Sequence, residues 1–163
     1  MMQNLWRVQT EKKIRTPHDI ISEQCKYLSE MTDGKVIARI APYDGDYRSY
    51  SKLDPIISKW LNADRENNFD VQNILGDRQS KFVYEFYITA KAAPKYKYRI
   101  MFLAFGISVY PVEVSLEKSI ADEIGMDKSE FLLSVEEEFA NLVGKVLSSE
   151  RISAVVSNLI SIE

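Results

Sequence analysis

The chain carries one histidine and one cysteine, His18 and Cys25. Thiol chemistry would have to be built from these two. A cysteine nucleophile needs its base within about 3 Å. Seven positions apart in the sequence, the two share a helical face but stand about 10 Å apart along the axis at 1.5 Å per residue. They cannot form a dyad on that helix. Cys25 therefore reads as a small, semi-buried hydrophobe, and His18 as a first-turn residue at a surface. A serine with a lysine base has no local signature here. Metal chemistry is equally poorly served, because the usual zinc sets need several Cys and His ligands. Asp44-Gly45-Asp46 pairs two carboxylates, but Pro55 stands where a calcium loop would close on a glutamate. A solvated turn is the simpler reading. The six glycines are scattered, so no phosphate-cradling loop is present. No catalytic, cofactor-binding or metal-ligating residue is assigned, no cofactor is expected, and the reading leans away from an enzyme.

Nucleic acid is the next chemistry to weigh. Lys95-Tyr96-Lys97-Tyr98-Arg99 interleaves cations and aromatics, the composition that holds phosphates and stacks bases. On a strand, period two puts Lys95, Lys97 and Arg99 on one face and Tyr96, Tyr98 and Ile100 on the other. The expectation is cations toward solvent and tyrosines inward. The glycines of an RNA-binding strand are missing, and the net charge is −3. Nucleic-acid binding through 91–99 is therefore the weaker alternative.

Two stretches look better suited to holding another protein. Leu132, Val135, Phe139, Leu142 and Val146 repeat at alternating spacings of three and four, a narrow stripe like that of a short coiled coil. Glu136-Glu137-Glu138 lies beside it, solvated or facing a basic partner. The same stripe would also serve to cover a sheet. The second stretch is a polar insertion over 43–79, in which Tyr43, Tyr47, Tyr50 and Trp60 are aromatic. Aromatics of this kind are favoured at binding surfaces, and they also pin loops to a core.

These side chains need elements to position them. A helix opens at Thr16-Pro17-His18-Asp19, with Thr16 as N-cap and Pro17 in the first turn, and closes at Asp33-Gly34. Residues 35–41 alternate as a strand. After the insertion, which has a short helical pattern at 56–61, alternation returns over 81–89 and 96–105. It appears again over 107–115, where Pro111 suggests an edge or a bulge. The short links favour an antiparallel meander. The C-terminal third reads as helical: a short helix over 119–124 stopped at Gly125, a longer one capped by Asp127 or Ser129 that carries the stripe, and a last one from Glu150. The expected class is α+β, an antiparallel sheet of about four strands packed against the N-terminal helix and the C-terminal helices, in a single domain over 1–163.

At 163 residues, 45% apolar and 28% charged, the chain matches a soluble globular domain. It has no run of the roughly 20 apolar residues that would span a bilayer. One cysteine gives no internal disulfide, so a cytoplasmic setting without membrane attachment is the expectation. Charge is uneven: residues 79–112 hold five basic side chains and one acidic, whereas 113–163 hold eleven acidic and four basic. Such asymmetry steers partners. The functional expectation is a non-enzymatic protein-interaction module, an accessory or regulatory protein that binds another protein or itself as a homodimer. A small-ligand module with a cavity lined by the aromatics of 82–110 is the alternative.

Overall fold

The computed structural model describes residues 2–8, 14–45 and 81–162. Helix α1, Pro17–Met31, starts in a capping box: Thr16 accepts from the Asp19 N–H, and Asp19 accepts from the Thr16 N–H. It ends where Asp33 and Gly34 turn left-handed at φ 51° and 75°, with the Gly34 N–H donating 2.8 Å to the Ser29 carbonyl. Thr32 couples that end to the first strand, its hydroxyl donating to the Leu28 carbonyl and accepting from the Val36 N–H.

Among the described residues five strands form one sheet in the order β1-β2-β3-β4-β5: β1 Val36–Pro42, β2 Phe82–Ala90, β3 Ala93–Phe105, β4 Val112–Leu116 and β5 Glu130–Leu133. Every pairing is antiparallel. Between β4 and β5 lies helix α2, Lys118–Glu123; helices α3, Glu136–Leu147, and α4, Glu150–Ile160, follow. The α+β class with a sheet packed against N- and C-terminal helices is the one expected, with one strand more than the pattern implies.

The sheet's inner face carries Val36, Ala38, Phe86, Ile88, Leu103, Phe105, Val112, Val114 and Leu116. With Ile20 and Ile21 of α1, Ile120 of α2, Phe139, Leu142, Val143 and Val146 of α3, and Ile152 and Leu159 of α4, they make one buried core. Burial of this kind stabilises by about 25 cal/mol per Å² of apolar surface.

Three expectations are corrected. First, the helix does not reach back to Asp127 or Ser129. Glu130, Phe131, Leu132 and Leu133 pair with β4, and Val135 is the extended N-cap of α3. The even stripe thus spans a strand, a cap and a helix. The start signal is the glutamate triplet 136–138, placed at the positive end of the helix. Second, Pro111 lies just before β4, in the β3–β4 loop, and β3 starts at Ala93, ahead of the expected start at residue 96. Third, the alternation of β3 is interrupted. Phe86 faces Met101 and Tyr87 faces Arg99, so Ile100 is an extra residue, a bulge. Because of it, Arg99 and Phe102 share the outer face while Ile100 and Met101 are both buried.

Candidate functional site

The outer face of the sheet is not a plain solvated surface. Glu85 opposes Phe102 across β2 and β3 and is buried. Its carboxylate accepts from Lys97 Nζ at 2.6 Å and from Arg99 Nε at 2.9 Å. Lys97 also lies 4.3 Å over the Tyr87 ring, and Arg99 lies 5.4 Å over Tyr43 and 5.5 Å over Phe102. Two cations of the basic stretch are thereby bound to one buried acid and to aromatic faces. The tyrosines do not both turn inward: Tyr96 is exposed, and the Tyr98 hydroxyl donates to Glu117 Oε2 at 3.1 Å.

Glu117 is itself a hub. It caps α2 by accepting from the Ser119 N–H at 3.2 Å and also accepts from the Ser119 hydroxyl. Burial opposes its charge, but the bonds from Ser119 and Tyr98 outweigh burial and hold the carboxyl below its ordinary range. Burial pushes the Tyr98 phenol up. Arg151 Nε donates 3.4 Å to the Tyr98 hydroxyl, while Glu123 accepts from the backbone N–H groups of Glu150 and Arg151. These bonds tie the start of α4 to α2 and β3. Their partners are fixed within the fold, and the arrangement locks elements together instead of presenting a reactive group.

His18 sits beside Tyr84, ring centroids 5.0 Å apart, with its Nδ1 3.3 Å from the Ser22 hydroxyl. Cys25 is partly buried against the core, and burial pushes its thiol up to about 11. A thiol held neutral in this way is a poor nucleophile at neutral pH. Among the described residues no group of acidic, His and Cys side chains is arranged to hold a metal ion. Nor is any described helix long and apolar enough to cross a membrane.

The sequence-derived interaction residues separate into three groups. Phe139, Leu142 and Val146 are buried in the core and are already covered by the sheet and α1. Leu132, 63% exposed on β5, and Val135 beyond it remain at the surface. Tyr43 is half-buried, its ring tilted against Phe102 with centroids 4.7 Å apart, and its N–H donates to the Val83 carbonyl. Tyr47, Tyr50 and Trp60, the helical pattern at 56–61 and the rest of the insertion beyond Gly45 lie outside the described residues.

The end of the sheet at which β5 stops carries further exposed apolar groups that the sequence pattern does not single out. Phe82 opposes Phe105 at the end of the β2–β3 pair, and Ile107, 82% exposed, follows two residues later. Val112 opposes Leu133 at the same end, and Val135 follows two residues beyond. The loop between β3 and β4 is anchored by the Tyr110 hydroxyl, which donates 2.9 Å to the Arg15 carbonyl beside exposed Ile14. Within it Val109 has φ 74°, a strained conformation for a β-branched residue. Strain of this kind persists where neighbours enforce it, and it clusters at functional positions.

β5 is the edge strand on this side of the sheet. Leu116 N–H donates to the Ser129 carbonyl, which fixes the alternation: Ser129, Phe131 and Leu133 turn their backbone groups to β4, and Glu130 and Leu132 turn theirs outward. Glu138 accepts from the Ser134 N–H at 2.9 Å and so closes the far end of the edge. The surface is thus an open strand edge with exposed Leu132, and across from Leu132 stands Glu113, which is paired with Lys81. No family model matches the chain, and no curated protein or solved structure matches it significantly.

Proposed function

We propose that this chain is a non-enzymatic protein-interaction module that docks a partner on the β5 end of its sheet. The observation that carries this reading is Leu132: a large apolar side chain, 63% exposed, on an edge strand whose outward backbone groups at Glu130 and Leu132 meet no hydrogen-bond partner among the described residues. Val135, two residues past the end of β5, is exposed as well. Exposed apolar patches framed by charge mark interaction sites. The basic stretch speaks against the nucleic-acid alternative, since its Lys97 and Arg99 are already engaged by the buried Glu85 instead of standing free for phosphates.

Native mass spectrometry on the gently purified chain tests the reading. A complex, with itself or with a co-purifying polypeptide, is expected, and Leu132→Lys should abolish it while the far-UV circular dichroism stays unchanged. A chain that is monomeric and unaccompanied under all conditions, or a complex indifferent to Leu132→Lys, would remove the proposal.

A further inference from the structure

A second feature fits the open edge of β5. Residues 2–8, Met2-Gln3-Asn4-Leu5-Trp6-Arg7-Val8, belong to no element and are exposed throughout. Leu5, Trp6 and Val8 are 80%, 83% and 70% exposed. Three large apolar groups in one short stretch, left in water, are a packing surface without its counterpart.

We infer that the counterpart is β5 of a second copy, to which residues 4–8 add as a sixth, antiparallel strand. The inference rests on the interaction reading above and names the partner. On β5 the outward backbone groups belong to Glu130 and Leu132, whose side chains lie on the outer face with Glu113 and Ser115. An antiparallel strand bonding to both must offer two residues spaced by two. Leu5 opposite Leu132 and Arg7 opposite Glu130 satisfy the backbone and pair both side chains, apolar with apolar and cation with anion. The intervening Trp6 then falls opposite Phe131, which is itself only partly buried against the core.

The charges agree over a longer range. The segment contributes Arg7 and no acid, while the chain around β5 carries Asp127, Glu130, Glu136, Glu137 and Glu138, with Lys128 as the one cation. Leu132 and Trp6 each gain an apolar neighbour, and the free backbone groups of Glu130 and Leu132 gain partners, as in other recognition by strand addition. If each copy lends its segment to the other, the arrangement closes as a two-fold dimer. The β5 edge is then covered, and the sheet ends in a short added strand, which limits further edge-to-edge pairing on that side.

The test uses the full chain. Two singly substituted chains, Leu5→Cys and Leu132→Cys, are mixed and mildly oxidised, and the products are read by mass spectrometry. The hetero-disulfide should exceed either homo-disulfide by on the order of tenfold, because a disulfide needs Cα atoms within about 7 Å. In sedimentation equilibrium, Arg7→Glu and Glu130→Arg should each weaken the dimer by about fivefold, and the two together should restore it. Leu5→Cys and Arg7→Glu lie outside every element, and Glu130→Arg and Leu132→Cys lie on an edge strand, so circular dichroism serves as the folding check. A monomer at all concentrations, a dimer blind to the charge reversals, or introduced thiols that join only when both lie in one chain would overturn the inference. A complex with another polypeptide that Leu132→Lys abolishes, without self-association, would overturn it and leave the interaction reading standing. The absence of any complex would remove both.

Discussion

At the scale of single residues, partly buried Cys25 and buried Glu85 have measurable consequences. Cys25 has its thiol raised to about 11 against an ordinary 9.0, first by desolvation. The fold thus favours the neutral thiol. That preference is fully present below the unfolded value near 9 and is lost as pH climbs through the folded value near 11. Labelling of Cys25 by a disulfide reagent at pH 8 should be slower in the native chain than in urea by on the order of tenfold or more. Stability measured by urea titration should be flat from pH 7 to 9 and decline above it. Fast native labelling at pH 8 would mean that the thiol is open to solvent. Glu85 is the second case. Its side chain is 8% exposed, whereas Lys97 and Arg99 are 38% and 36% exposed. Removing one partner of a fully buried pair costs about 3–5 kcal/mol, and an exposed pair about 0–1 kcal/mol. Glu85→Ala should fall between, near 2 kcal/mol by urea denaturation, because the two cations it releases can reach water. A loss below about 0.5 kcal/mol would show that the cluster behaves as an ordinary surface pair.

At the scale of elements, legibility in the sequence follows how local the governing forces are. The start of α1 is fully local: Thr16, Pro17 and Asp19 announce it, and the capping box forms as the residues dictate. The alternation of β2 likewise reports its two faces, although Glu85 and Thr89 on the outer face are buried as well. The Ile100 bulge is not local, since an extra residue in β3 is defined only by what β2 places opposite it. For that reason the period-two reading holds from Lys97 to Arg99 but would put Leu103 on the wrong face. β5 is hidden for a related reason. Leu132, Val135, Phe139, Leu142 and Val146 satisfy helical spacing by coincidence across two elements. Pairing with β4 decides Glu130–Leu133, and only the acidic triplet marks where α3 begins. The interaction surface inherits both effects. Leu132 and Val135 stand out in the sequence, but for a helical stripe that does not exist. Strand register brings Phe82, Phe105, Val112 and Leu133 into one row at the same end of the sheet, and no spacing in the chain shows it.

At the scale of the whole molecule, one apolar core collects residues from α1, from β1 through β4, and from α2, α3 and α4. No described helix packs apart from it. Glu123 and Tyr98 further bind α2 and α4 to each other and to the sheet. A body connected in this way should lose its helices and its sheet together. Far-UV circular dichroism and the exposure of Cys25, which sits on α1 against the core, should therefore share one urea midpoint. If β5 also seats the segment of a second copy, the same midpoint should rise with protein concentration, since association stabilises only the folded state. Arg7→Glu should flatten that dependence without moving the midpoint measured at high dilution, because Arg7 touches nothing in the monomer's core. Helical signal lost before Cys25 becomes reactive would show instead that the C-terminal helices fold as a separate unit. A midpoint independent of concentration in a chain that unfolds in one step would overturn the pairing of β5 with a second copy.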